Sequence, residues 1–445
     1  MGALGYNGAV PMTSLLDRWN DQYFSGRLST DILGHLQELP GQSAEVHAFV
    51  ERIFRCMHEA RVPAEDLSAL LAWAIGFLPS RVLPGAWGGL VPPITIVGRH
   101  ARIDEYLGSN PWHPLGAGAT LLDLGCGFPP LTTVDTATAR ADWRIIGADP
   151  SFGPFIVSDA QEDYACVRAD GSVRYFQPGI MDFTRWEELY RDQAATRGRF
   201  ADLFQRLRTE LPPDDDGTLA SVTVGGVTLT RNPLKSYERA NLTFQEGGFG
   251  HVRVADLDAV RSMNVLMYFD QPSRRQAREW IASVLKPGGI FVCGVNWYQS
   301  TNSRYTVFQR EGGRLLPREF AFSIDNIRSL QIVTWFALHD DDDETRQIVR
   351  ALATVRGHQA FMRDFDRALD AVCARHEICA RQPDGYLGGV AADVTPAELQ
   401  RRLRVVESEL AEAGFRERAA DLLSDAGHQA WINCVGHIAM APVIA

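Results

Sequence analysis

The sequence predicts a doubly wound α/β fold, and three observations predict it. Continuous apolar runs recur at helix-length spacing: "ATLLDL" (119–124), "WRIIGAD" (143–149), "LDAVRSMNVL" (257–266) and "IFVCGV" (290–295). Runs of this kind, bounded by glycine, suit parallel strands buried on both faces. The first run ends in Gly125-Cys126-Gly127 ahead of a helical stretch, and a helix from about Ser273 carries Ala277, Trp280, Ile281, Val284 and Leu285 on one face before Lys286-Pro287-Gly288-Gly289 stops it.

The elements follow in order. Residues 13–78 read as helices, including "SAEVHAFVERIFRCMHEA" and the nearly all-apolar "PAEDLSALLAWAIGFL"; "LPGAWGGLVPPITIVG" (83–98) punctuates them. Residues 1–110 are expected to form a helical amino-terminal region, a lid or a homodimerisation element. The alternating core is expected over 111–297 and 395–445, where Thr395-Pro396-Ala397-Glu398 opens a helix with the stripe Leu399, Leu403, Val406 and Leu410. Two insertions interrupt it. The first, 152–240, holds hairpin signals at Asp170-Gly171 and Gly225-Gly226, and the second, 298–394, contains "RYTVFQREGGRLLPREFAFSI". Both leave from carboxyl ends of strands, where such sheets bind ligands, so a role as substrate cover is expected.

Composition bounds the function. The chain has 445 residues, 45% of them hydrophobic and 22% charged, and a net charge of −11, which disfavours nucleic acid as the main partner. No secretory pattern opens the sequence, and the longest apolar run, Ala69–Leu78, is too short to span a bilayer, so a soluble cytoplasmic protein without a membrane partner is expected. Seven scattered cysteines argue against a disulfide framework. Cys373, His376 and Cys379 lack a fourth ligand, and no metal is expected.

A strand ending in Gly-x-Gly before a helix, with an acid about 20 residues on, has the shape of an adenosine site. Gly125 and Gly127 let the backbone turn sharply, and Asp149 can accept hydrogen bonds from both ribose hydroxyls. Pro129 and Pro130 stand where a dinucleotide's pyrophosphate would need free N–H groups. S-adenosylmethionine has the adenosine but no phosphate, and the loop suits it.

At this point the sequence resembles the class I S-adenosylmethionine-dependent methyltransferases. "LLDLGCG" resembles their first motif, "WRIIGADPS" the second, "ANLTFQEGGFG" the third strand, "LDAVRSMNVLMYF" the fourth, and "VLKPGGIFVCG" the approach to the fifth. "MNVLMYFD" also resembles a stretch of the chemotaxis-receptor glutamate methyltransferases. The resemblance implies a mostly parallel seven-stranded sheet whose last strand is antiparallel. It places Asp123, Gly125 and Gly127 at the methionine end of the cofactor, Asp149 at the ribose, Gly247 and Phe249 near the adenine, and Asn264 close to the transferable methyl. Acceptor contacts are then expected from Tyr268, Asn296, Trp297 and Tyr298, with His251 as a candidate base. The activity implied is methyl transfer to an O, N or S atom of a small molecule by in-line displacement. Methylation of a protein carboxylate and a silent cofactor-binding scaffold are the alternatives.

Overall fold

A computed structural model describes residues 44–62, 95–179, 183–213, 217–296, 303–328, 339, 343–378, 394 and 396–443. Contacts divide the chain into two compact units, one of residues 81–97 and 116–261, the other of residues 1–80, 98–115 and 262–445. Among the described residues, α1 (Ala44–Glu59) and α2 (Ala101–Ser109) of the latter precede the first strand.

The former unit carries the glycine loop. Strand β1 (Thr120–Leu124) runs parallel to β2 (Arg144–Asp149), with α3 (Leu131–Ala139) between them in sequence. The insertion that follows β2 folds as its own antiparallel sheet, in the order β5-β4-β3-β7-β6. Its strands are β3 (Phe155–Ser158), β4 (Tyr164–Val167), β5 (Val173–Gln177), β6 (Ala220–Val224) and β7 (Val227–Arg231). Both expected hairpins form. Gly225 and Gly226 have φ of +59° and +81°, the left-handed pair that a two-residue turn requires. Helices α4 (Phe183–Arg191) and α5 (Gln193–Leu207) lie between the hairpins, and α5 buries Phe200, Leu203, Phe204 and Leu207.

The chain then adds β8 (Leu242–Glu246) beside β2 and returns to place β9 (Leu257–Met263) on the other side of β1. Leu121 stands opposite Ile145 of β2 and Ala259 of β9. The strand order therefore reverses at β1, and open α/β sheets take ligands at the carboxyl ends of strands where the order reverses.

The division between the units falls within β9, so the stretch 111–297 is shared between them. In the latter unit α6 (Gln271–Val284) is capped by Asp270, whose carboxylate accepts from the Ser273 N–H. Strand β10 (Leu285–Val295) begins before the Pro-Gly-Gly segment rather than after it. It pairs antiparallel with β11 (Arg304–Glu311), and β11 with β12 (Arg314–Phe322). Four helices follow: α7 (Asp343–Gly357), α8 (Gln359–Arg375), α9 (Pro396–Glu412) and α10 (Phe415–Asp425). Helix α7 packs against α1, α8 and α10. The closing strands β13 (Ala430–Ile432) and β14 (Ile438–Met440) join β12 through β14.

The main sheet thus has nine strands in mixed directions, ordered β13-β14-β12-β11-β10-β9-β1-β2-β8, and not the mostly parallel seven expected. The difference lies in the second insertion. Arg304 to Phe308 of β11 are buried at every position, so this hairpin belongs within a sheet and does not lie over one. The expected helix over 63–78 and the Thr395 cap lie outside the described residues. No helix among the described residues is long and apolar enough to cross a membrane, and none of them form a group of three or more metal-ligating side chains.

Candidate functional site

The turn after β1 is built from two left-handed glycines, Gly125 at φ +81° and Gly127 at +69°, which side chains with a Cβ adopt only under strain. The N–H groups of Gly125, Cys126 and Gly127 are directed inward. Those of Gly125 and Cys126 donate to the Ala148 carbonyl at 2.7 and 3.3 Å, and that of Gly127 donates to Asp149 Oδ2 at 2.8 Å. Pro129 and Pro130 have none, and the Leu131 N–H turns back to the Pro129 carbonyl at 2.8 Å. Gly125, Cys126, Gly127, Pro129, Pro130 and Leu131 therefore offer no donor to an anion. A phosphate cradle, which consists of such donors, is absent from them.

Asp149 closes the turn. Its second oxygen, Oδ1, accepts the Ser151 N–H at 2.7 Å, so one carboxylate clamps the glycine loop to the turn after β2. Each oxygen retains a lone pair beyond the one used. Burial pushes this carboxyl up from the usual carboxylate range, against the hydrogen bonds from Ser151 and Gly127 and the charge of Arg174. Gly247 sits beside it at φ +153° and donates its N–H to the Asp149 carbonyl at 3.2 Å. Phe249 is half-buried. His251 is exposed, with Nδ1 3.0 Å from the Phe249 carbonyl, an arrangement that makes Nδ1 the donor and Nε2 the free acceptor.

Asp123 occupies a different kind of place. It is 1% exposed, and Arg261, at 0%, grips it bidentately through Nε at 3.0 Å and an η nitrogen at 2.6 Å. Thr133 of α3 donates to the same carboxylate at 2.7 Å, and Arg261 also reaches Thr136 at 3.1 Å. This network ties β1, β9 and α3 together under the loop and commits both Asp123 oxygens within the fold. The sequence did contain a signal for it: Arg261 is a charge within a continuous buried run, and such a charge requires a partner.

The inserted sheet flanks the loop. Tyr164 donates its hydroxyl to the Phe128 carbonyl at 2.7 Å, and Phe128 meets Tyr164 and Tyr237 edge to face at centroid distances of 5.9 and 6.1 Å. Cys126, Phe152, Ile156, Cys166 and Tyr175 complete this cluster. Burial pushes the Cys126 thiol well above its ordinary range, so it packs as a small apolar group.

The remaining expected site residues belong to the other unit. Asn264, in the left-handed region at φ +61°, and Asn296 bind each other: Asn264 Nδ2 donates to Asn296 Oδ1 at 3.0 Å, and the Asn296 N–H donates to Asn264 Oδ1 at 3.1 Å. Asn296 is fully buried and spends its own amide on the Arg99 carbonyl at 2.9 Å. The pair joins the ends of β9 and β10, and one hydrogen of the Asn296 amide is committed to Arg99. Tyr268 ends a 3₁₀ turn, Leu266–Tyr268, and burial raises its hydroxyl to about 12, which keeps it protonated at neutral pH. Trp297 and Tyr298 lie outside the described residues.

No family model matches the sequence, and no curated protein does. Among solved structures, a cyclopropane synthase from Mycobacterium tuberculosis is 13% identical over 76% of this chain and 81% of its own, with a TM-score of 0.23. An S-adenosylmethionine-dependent methyltransferase from Clostridium acetobutylicum is 10% identical over 50% and 70%, with a TM-score of 0.20. The chain spans about half the length of two others that it matches, from Haloferax volcanii (51%) and Nostoc punctiforme (52%). Likenesses at TM-scores this low establish neither fold nor function.

Proposed function

We propose that the chain is a methyltransferase that uses S-adenosylmethionine and transfers its methyl to an O, N or S atom of a small molecule by in-line displacement. The observation that carries this reading is the glycine loop: it makes a close-approach turn at the carboxyl end of β1, yet the N–H groups of Gly125, Cys126 and Gly127 are spent internally. That combination suits an adenosine ligand without phosphate. Asp149 fits the ribose, because both of its oxygens are fixed in place and each has a lone pair to spare for a hydroxyl.

S-adenosylmethionine supplies a methyl activated on a sulfonium, and its thioether leaves as a neutral group that needs no acid. The chain's task is then to hold the nucleoside, exclude water and align the acceptor. Tyr268, held protonated, can donate a hydrogen bond but does not serve as a base at neutral pH. His251, with Nε2 as its acceptor, is the better candidate for proton removal from a hydroxyl, amine or thiol.

A small acceptor is the reading favoured by the aromatic sheet inserted directly after Asp149. The test is transfer of labelled methyl from S-adenosylmethionine to a panel of small hydroxyl, amine and thiol compounds and to mixed protein. Label in small products is the expected result. Base-labile label confined to protein would instead identify a carboxylate methyltransferase.

A further inference from the structure

The sheet inserted after β2 ends in β6, which has β7 on one side and, among the described residues, no strand on the other. Free edges of this kind offer unpaired N–H and C=O groups to other chains, and proteins blunt them with charge, proline, bulges or brevity. The other sheet edges follow that rule: β13 is a strand of 3 residues, β8 ends in Glu246, and β5 carries Arg174. Strand β6 does not. Gly217 to Thr230 contains neither a charge nor a proline, and β6 pairs with β7 in unbroken register from Ala220 to Val224. Leu219 and Val224, which stand at its two ends, are 46% and 55% exposed.

The register fixes which groups are free. Residues that flank a two-residue turn form a hydrogen-bonded pair, and such pairs alternate with non-bonded ones along an antiparallel ladder. Val224 with Val227, Val222 with Leu229 and Ala220 with Arg231 are therefore the pairs bonded across to β7. The N–H and C=O groups of Ser221 and Thr223 point the opposite way, out of the sheet edge. Their side chains lie on the face that carries the hydroxyl contacts of Ser221 with Thr230 at 3.1 Å and of Thr223 with Thr228 at 2.9 Å. Ala220, Val222 and Val224 lie on the other face, with the buried Leu229.

We infer that β6 is the contact surface for a second copy of this chain, whose own β6 pairs with it antiparallel about a two-fold axis at Val222. In that register Ser221 of each copy faces Thr223 of the other, and each such pair exchanges both of its N–H···O bonds. The side chains fit the same axis. Val222 meets its own counterpart in the non-bonded position, where side chains approach most closely, and Ala220 faces Val224, small against large. The hydroxyl ladder continues across the junction, and β6 brings no charge against its like although the chain as a whole carries −11. The contact is isologous, so it closes on a dimer and uses the edge up. This self-match selects a second copy over an extended peptide of another protein, which would gain only the backbone bonds.

A single short strand buries less than the area usual for stable complexes, so an equilibrium in the micromolar range is expected. Sedimentation velocity of the full chain over a concentration series should show the mass rising from one chain to two. Two double variants at the exposed positions test the register. Ser221→Lys/Thr223→Lys sets lysine against lysine at both pairs and should weaken the dimer about tenfold or more. Ser221→Lys/Thr223→Glu sets lysine against glutamate in this register and should keep it. Circular dichroism at low concentration checks that each variant is folded. A dimer that the two-lysine variant retains, or that both variants lose, overturns the inference. A chain that stays monomeric at every concentration also overturns it and leaves the edge to a strand from another protein.

Discussion

Replacing Asp123 with Asn tests whether this residue positions the loop or touches a ligand. Arg261 is fully buried and directs two hydrogen bonds, of 3.0 and 2.6 Å, at the Asp123 carboxylate, while Thr133 adds one of 2.7 Å. The substitution leaves the guanidinium uncompensated in a dry interior and turns an amide N–H₂ toward it. Breaking one partner of such a pair costs roughly 3–5 kcal/mol, whereas replacing both with apolar side chains of similar volume is often close to neutral. Urea unfolding should therefore show Asp123→Asn destabilised by about that amount, with the double variant Asp123→Leu/Arg261→Met recovering most of it. Calorimetry with S-adenosylhomocysteine on the folded fraction should show a smaller effect than Asp149→Ala produces. A loss of stability below about 1 kcal/mol, paired with abolished binding, would refute the positioning role and make Asp123 a direct contact.

Gly127→Ala forces a Cβ into the left-handed region at φ +69° and should cost about 1–2 kcal/mol in urea unfolding; a change within a few tenths would show that the loop relaxes freely. Glu407 of α9 is 5% exposed, and burial pushes its carboxyl up to about 7 despite Arg416 at 3.4 Å. Between the unfolded value near 4.5 and pH 7 the folded chain keeps a proton that the unfolded chain releases, so this group's contribution to stability is lost as pH rises. The stability of Glu407→Gln relative to the unaltered chain should accordingly climb by roughly 3 kcal/mol across that window, and a constant difference would contradict the assignment. His437 has the opposite sign. Burial lowers it to about 3, so its contribution is present above about pH 6.5 and is lost as pH falls, and His437→Asn should gain on the unaltered chain below pH 6.5.

What the sequence made legible follows from local physics. The runs at 119–124 and 143–149 are strands because largely apolar residues without a two-residue alternation suit a strand covered on both faces. The hairpins at Gly171 and at Gly225-Gly226 are visible because left-handed turn positions select glycine. Pro129-Pro130 marked the helix start, which falls at Leu131. Contacts made over long sequence distances were not legible. The partner of Asp123 lies 138 residues away, and the Asn264–Asn296 pair, read as ligand and acceptor contacts, proved to be a mutual tie. The hairpin of β11 and β12 reads as a surface cover when it is taken alone; only its pairing with β10 and β14 shows it to be part of the main sheet.

The central claim is that a glycine turn whose Gly125, Cys126 and Gly127 N–H groups are committed internally seats a phosphate-free adenosine ligand. Its most direct test is equilibrium binding of S-adenosylhomocysteine and of NAD⁺ to the same full-length chain, side by side. Micromolar binding of the former, lost in Asp149→Ala, and no measurable binding of the latter are the predicted results. Tight binding of NAD⁺ in preference to S-adenosylhomocysteine would contradict the account.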